Sequence, residues 1–257
     1  MRVITINVNG VRSATAKGLW SWLGRQRADV VCLQETRAGP EELPAEVGRL
    51  DGWHRFFRHA DRPGYSGVAL LARRRPDRVM DRLGFAPFDR EGRYLRADFG
   101  DLSVVSLYVP SGTTGDERQA FKMRCLARLS RHLRELRRAG RHYLLCGDLN
   151  IAHTKADIEN WRGNQNHSGF LPEERAWLDR LFGPEGWTDA FRVVDQRPRQ
   201  YTWWSNRGRA WENNVGWRID YQVASPALGA LARSAAIYKR QRFSDHAPLC
   251  IDYDYEL

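Results

Sequence analysis

Seven residues able to hold a cation or move a proton stand at or beside the ends of apolar segments: Asn7, Glu35, Asp148, Asn150, Asp220, Asp245 and His246. Carboxylates and carboxamides with one imidazole and no paired Cys make an oxygen-rich donor set. Such a set suits a hard divalent cation, Mg²⁺ or Mn²⁺, rather than zinc. The chemistry that these residue types offer is that of a divalent cation held among acids and amides. Each acid alone is explained as a turn former, a cap or a surface charge. Together they are harder to dismiss, because arbitrary strand ends carry Gly, Ser or Lys as often. Spacing alone does not bring them to one place.

The elements that must position these groups are read from apolar periodicity. His142-Tyr143-Leu144-Leu145-Cys146-Gly147-Asp148-Leu149-Asn150 is a short apolar run closed by Gly, the pattern of a buried strand. Asp148 and Asn150, two apart, then share a face at the strand's C-terminal mouth, where open α/β sheets bind ligands. The plainer alternative for the same residues is a strand followed by an Asx turn. Residues 2–8 predict a strand ending at Asn7 before a turn at Gly10, and Lys17 to Arg27 a helix. Val30–Leu33 is a second strand running into Gln34-Glu35-Thr36. Trp53–Arg58 and Gly67–Ala72 alternate like paired strands. Tyr94–Phe99 and Leu102–Val109 form a hairpin around Gly100-Asp101, which delivers Tyr108 to another strand end. Glu117 to Ala139 is a helix with the stripe Phe121, Cys125, Leu129, Leu133 and Leu136, and with its cations, Lys122 among them, mostly on the other faces. Residues 153–175 are too polar and too long for a mere connector, so they are a candidate functional loop, with a helix from Pro172 to Gly183 after it. Gln200–Trp204 and Trp217–Val223 are β-rich around the polar tip Ser205–Val215, and Phe243-Ser244-Asp245-His246 leads into a last strand, Leu249–Tyr253. No repeat or linker interrupts the chain, so one domain over residues 1–257 is expected.

Charge indicates the partner. Lys and Arg number 41 against 31 Asp and Glu, a net charge of +10, which favours a polyanion, nucleic acid before a membrane surface. Part of that excess is the solvated face of the basic helix. No apolar run approaches the roughly 18 residues of a membrane span. The chain enters a strand pattern at Arg2 with no signal peptide, and its four cysteines lie apart among apolar neighbours. Buried thiols in a reducing, cytoplasmic setting are the expectation, as a monomer, since no oligomerisation signal is evident.

Six segments, in chain order, resemble the motif set of the exonuclease III family, the AP-endonuclease-type, DNase-I-like metal phosphodiesterases. They are Asn7-Val8-Asn9-Gly10-Val11-Arg12, Leu33-Gln34-Glu35-Thr36, Gly64-Tyr65-Ser66-Gly67-Val68-Ala69, Cys146-Gly147-Asp148-Leu149-Asn150, Gly216-Trp217-Arg218-Ile219-Asp220-Tyr221 and Ser244-Asp245-His246-Ala247-Pro248. The resemblance implies a four-layer α/β sandwich, two mixed β-sheets packed face to face with helices outside, and a site at one end. It also implies roles. Asp148 orients or deprotonates the attacking water beside Asn150. Glu35 holds Mg²⁺ with Asn7 and Asp245, while His246, backed by Asp220, and Tyr108 bind the phosphate. Trp203, Trp217 and Ile219 match an apolar slot for a base-less sugar. Arg12, Tyr65, Lys155, Arg162 and Arg207, on predicted loops of the rim, are candidates for tracking phosphates. The implied substrate is double-stranded DNA with abasic sites or blocked 3′ ends, cut 5′ to the lesion, with 3′-end trimming and 3′→5′ digestion.

The chain departs from the pattern at Asn9, where some members have Asp, and at Ser111, where others have Asn or Gln. Arg199-Gln200-Tyr201-Thr202-Trp203-Trp204, Val215-Gly216-Trp217-Arg218 and Phe170-Leu171-Pro172-Glu173-Glu174-Arg175-Ala176-Trp177 resemble the catabolite repression control branch, which keeps the scaffold for post-transcriptional regulation. That makes a non-catalytic, RNA-associated regulator the main alternative. Retention of Glu35, Asp148, Asn150, Asp220 and Asp245 argues against it. A third alternative, hydrolysis of lipid or inositol phosphates, is disfavoured by the absence of a membrane-binding segment, by the basic balance and by the Trp203/Trp217 pair.

Overall fold

Apolar runs such as Val30–Leu33 and Leu102–Val105 are buried on both faces, so they must lie inside a layered structure. The computed structural model describes residues 1–257. In chain order its strands are β1 (Arg2–Asn7), β2 (Val30–Gln34), β3 (His54–Arg58), β4 (Val68–Ala72), β5 (Arg78–Met80), β6 (Tyr94–Phe99), β7 (Leu102–Tyr108), β8 (His142–Asp148), β9 (Thr188–Asp189), β10 (Trp203–Trp204), β11 (Gly216–Trp217), β12 (Asp220–Ala224), β13 (Ala232–Ile237) and β14 (Leu249–Tyr253). They build two six-stranded mixed sheets, β13-β14-β1-β2-β4-β3 and β5-β6-β7-β8-β12-β9, and a small β10–β11 ribbon.

Side-chain alternation assigns the layers. In β1, β2 and β8, Val3, Val30, Cys32, Leu144 and Cys146 point into the core between the sheets. Their neighbours Ile4, Ile6, Val31 and Leu33 point outward beneath the helices Val11–Ala16 and Leu19–Gly24. Tyr143 and Leu145 pack outward beneath Asp116–Arg138 and Pro172–Phe182. The result is the expected four-layer α/β sandwich. Each fully buried Val or Leu contributes roughly 1.5–3 kcal/mol, so three clusters of about twenty side chains hold the layers firmly.

Polar side chains buried between the sheets set how one sheet sits on the other. Gln34 Nε2 donates to Ser106 Oγ at 3.1 Å, and Ser106 Oγ donates to Leu33 O at 3.1 Å. Gln222 Nε2 donates to Val3 O at 3.0 Å while its carbonyl accepts from Tyr253 Oη at 3.0 Å. A slip of either sheet would leave these groups unpaired in a dry core.

Several expectations change in detail. The helix expected from Lys17 to Arg27 is shorter, Leu19–Gly24, and a short helix not expected from the sequence, Val11–Ala16, precedes it, with Gly18 in a left-handed conformation (φ 84°) between the two. The segment expected as one strand, Trp217–Val223, breaks at Arg218-Ile219, since β11 pairs with β10 and β12 with β8. Arg218 causes the break: its guanidinium is buried against Asp157 (2.7 Å) and Asp189 (2.8 Å). Residues 153–175 are not wholly irregular, holding a 3₁₀ turn at Lys155–Asp157 and a short helix at Trp161–Asn164. Lys122 is fully buried rather than on an outer face.

Candidate active site

Topology explains the convergence. Each sheet contains a single parallel pair, β1 with β2 and β7 with β8, and each pair is flanked by an antiparallel strand, β14 or β12. The carboxyl ends of four central strands therefore share an edge with the amino ends of β12 and β14. Asn7 pairs with Gln34 across β1 and β2, and Asp148 lies in register with both Tyr108 and Asp220. Gly147 permits the close β7–β8 approach, because a Cβ there would overlap Leu107 O.

The turns that aim the side chains are strained. Asn9, Glu35, Arg37, Ser66 and Asn150, none of them glycine, have φ between 44° and 52°, and all lie in loops at this edge. Such conformations cost about 1–3 kcal/mol each and persist where the surroundings dictate them. Asn150 shows how. The strand stops at Asp148, and Asn150 N donates to Asp148 Oδ1 at 2.7 Å, an Asx turn. The two side chains meet through this turn, Asn150 Nδ2 reaching Asp148 Oδ2 at 3.2 Å, and not through strand alternation.

Asn7 Nδ2 bridges the two sheets' acids, donating to Glu35 Oε1 at 2.7 Å and Asp148 Oδ2 at 2.9 Å. Asn7 Oδ1 accepts from Asn9 N at 3.0 Å, so its amide is turned nitrogen-first toward the carboxylates. It orients them instead of offering them a free oxygen. His246 Nδ1 contacts Asp220 Oδ2 at 2.9 Å, and Nε2 lies 3.9 Å from Asp148 Oδ2. Asp245 accepts from Asn9 Nδ2 at 2.9 Å and from Trp203 Nε1 at 3.1 Å. Trp203 and Trp217 face each other edge-on at 6.1 Å across the β10–β11 ribbon.

These contacts set the charges. Burial, with Asp220's charge added, pushes the Asp148 carboxyl up to about 7. Burial works against a charged His246, but Asp220 overrides it and holds the imidazolium up to about 10. Burial likewise raises Glu35, yet Arg37 and the Asn7 amide outweigh it and keep the carboxylate below its ordinary range. Burial and then Glu35 lift the Tyr108 phenol well above its usual range, so Tyr108 stays a neutral donor. The site thus offers a proton acceptor poised near neutrality beside an imidazole that Asp220 holds toward its charged form and a phenol donor, suited to a reacting anion.

The donor set fits a hard cation. Glu35 and Asp245 present carboxylate oxygens to a cavity of about 430 Å³, with no sulfur ligand nearby. Asp148, Asp220 and His246 also bring one ligand atom each within 4.8 Å of one another, a second acidic and imidazole group able to hold a metal ion.

The same cavity is lined by Tyr108, Asp148, Asn150, Trp203, Trp217, Ile219 and His246, while Asn7 and Asp220 lie buried directly behind it. The rim candidates do not join the lining. Tyr65 sits in an adjoining cavity, its hydroxyl accepting from Arg93 and Arg118. Arg12 is exposed and 3.4 Å from Glu42; Lys155 and Arg162 stack on Trp161; Arg207 lies on an exposed loop. Sequence reasoning missed Arg37, Asn164, His167 and Ser168, which also line the cavity. Arg37 was findable, two residues past Glu35; the others lie in a loop whose path no local pattern reveals.

A model of the Endonuclease/Exonuclease/phosphatase family matches residues 4–246. The chain is 35% identical over 251 residues to an exodeoxyribonuclease of Bacillus subtilis (strain 168), covering 97% of this chain and 98% of that protein. It is also 35% identical over 254 residues to the DNA repair nuclease APEX1 of Danio rerio, covering 98% of this chain and 81% of that one. Among solved structures, an AP endonuclease from Archaeoglobus fulgidus superposes with a TM-score of 0.90 at 28% identity, covering 99% of this chain and all of that one.

Proposed function

The chain belongs to the endonuclease/exonuclease/phosphatase family, and from that premise we propose that it is a metal-dependent DNA repair nuclease cutting the phosphodiester 5′ to abasic sites and trimming blocked 3′ ends. One observation carries the reading: a carboxyl poised near neutrality, a cationic imidazole and a Glu35 carboxylate converge beside an apolar wall of Trp203, Trp217 and Ile219. A base-less sugar fits against that wall, whereas an intact nucleotide adds a base that must be placed elsewhere.

In this mechanism Asp148 takes a proton from the attacking water while Asn150 steadies the carboxylate. His246, kept charged by Asp220, and the Tyr108 hydroxyl donate to the non-bridging phosphate oxygens as charge builds on them. Glu35 and Asp245 would hold Mg²⁺, with Mn²⁺ as a substitute, and Asn7 orients Glu35 and Asp148. Such an ion would supply neutralisation of charge on the phosphate and on the leaving 3′-oxygen. The protein acts as a monomer on double-stranded DNA. Its longest helix, Asp116–Arg138, is basic, and no helix is long and apolar enough to cross a membrane.

The test uses a duplex with a single abasic-site analogue. Wild type with Mg²⁺ nicks 5′ to the analogue, and both EDTA and Asp148→Asn abolish nicking. Cleavage that survives EDTA, or equal inactivity of both proteins with Mg²⁺, overturns the reading.

A further inference from the structure

Arg37 plays no part in the hydrolysis as derived, yet the fold strains itself to place it. Glu35 (φ 52°) and Arg37 (φ 49°) make two left-handed steps in three residues. The turn is pinned by Val11 N on Thr36 O at 2.9 Å, Thr36 N on Gly67 O at 3.1 Å and Arg37 N on Ser66 O at 2.8 Å. It folds the Arg37 side chain back onto its neighbour: Nε donates to Glu35 Oε2 at 2.8 Å and Nη2 donates to the same oxygen. Since Asn7 holds Oε1, both oxygens of this carboxylate are occupied. Arg37 also stands on the boundary between the catalytic cavity and a second one of about 540 Å³. In that second cavity Arg93 and Arg118 share one carboxylate, Glu91, at 2.6 Å each, so positive charge is in excess.

We propose that Arg37 is a built-in counter-ion that competes with the divalent cation for Glu35 and, once displaced, swings toward the basic second cavity together with a DNA phosphate. This rests on the reading of Glu35 as a cation-holding residue. A buried carboxylate needs one positive partner, and Arg37 provides it when no ion does. The second cavity already carries surplus positive charge, so it accepts a further guanidinium only alongside an anion. Cation and polyanion therefore bind with positive coupling, and linkage makes the coupling reciprocal.

The experiment measures Mn²⁺ affinity by electron paramagnetic resonance of the free ion for wild type, Arg37→Gln, Arg37→Lys and Glu35→Gln, with circular dichroism confirming that each is folded. A second arm measures the affinity for an abasic duplex carrying a methylphosphonate at the scissile linkage, with and without Mn²⁺. Arg37→Gln is expected to bind Mn²⁺ about fivefold more tightly than wild type, the scale of a partly exposed ion pair. Arg37→Lys falls between them, and Arg37→Gln loses most of the Mn²⁺-dependent gain in duplex affinity. Equal or weaker Mn²⁺ binding by Arg37→Gln, with Glu35→Gln still losing the ion, overturns the counter-ion alone. Mn²⁺ binding that Glu35→Gln leaves untouched overturns the reading of Glu35 itself and this inference with it.

Discussion

His246 and Asp148 are matched opposites: two buried groups whose neighbours drive one to stay charged and the other to hesitate. Asp148 works as a carboxylate, so kcat/KM should rise with pH through about 7. A bound cation draws that limb lower. His246 works as an imidazolium, so the rate should fall as pH passes about 10. Asp220 is the largest source of His246's upward shift and also adds to Asp148's. Asp220→Asn should therefore move both limbs to lower pH, the basic one furthest, toward the ordinary histidine value near 6.5. Profiles of kcat/KM for the two proteins check this, and an unmoved basic limb would mean Asp220 does not hold the imidazolium. The residue types behind this behaviour were legible in the sequence, because Asp148, Asp220 and His246 stand at strand ends. Their charge states were not, since those depend on burial and on approach distances. Asn7 is the clearest case: its amide was legible as polar and strand-terminal, but only its contact with Asn9 turns the nitrogen toward the acids.

One buried ion pair ties the helix Asp116–Arg138 to the catalytic edge. Lys122 Nζ lies 2.6 Å from Glu174 Oε1 and donates to Asn150 O at 2.8 Å, while Glu174 Oε2 accepts from Gly169 N at 2.6 Å. Both ionic side chains are fully buried. Lys122→Met should cost about 3–5 kcal/mol in chemical denaturation, because it strands Glu174 in the dry interior. Lys122→Met combined with Glu174→Leu should recover much of that stability, while incision stays slow because Asn150 and Ser168-Gly169 lose their tether. Additive losses in the double-variant cycle would show that the two do not act as a pair. Sequence periodicity located this helix to within a residue at each end together with its apolar stripe, which the fold packs against Tyr143 and Leu145 of β8. Lys122 was misassigned because a lysine beside an apolar stripe normally lies in water; its partner is 52 residues away in another helix.

For the whole molecule, a net charge of +10 means that duplex binding should weaken steeply with salt, as condensed counterions are released. The exposed Arg162, on the short helix that carries the cavity-lining Asn164, and Arg207, on the exposed loop between the cavity-lining Trp203 and Trp217, are placed near the cavity, so replacing either with Ala should reduce the slope of log K against log salt by about one. Fluorescence anisotropy at several salt concentrations measures it, and an unchanged slope would remove that arginine from the DNA path. What the sequence alone determined is what local physics carries: strands as apolar runs closed by glycine, the long amphipathic helix, the identities of the acids at strand ends and the sign of the charge. The tertiary structure decided which of those ends meet. Two parallel strand pairs, held in mutual register by Gln34 and Gln222 across the core, bring the ends of six strands to one edge. The contacts between the two sheets reach far along the chain, as Asn7 joins Asp148 141 positions on, and no window of sequence contains the energy that selects them.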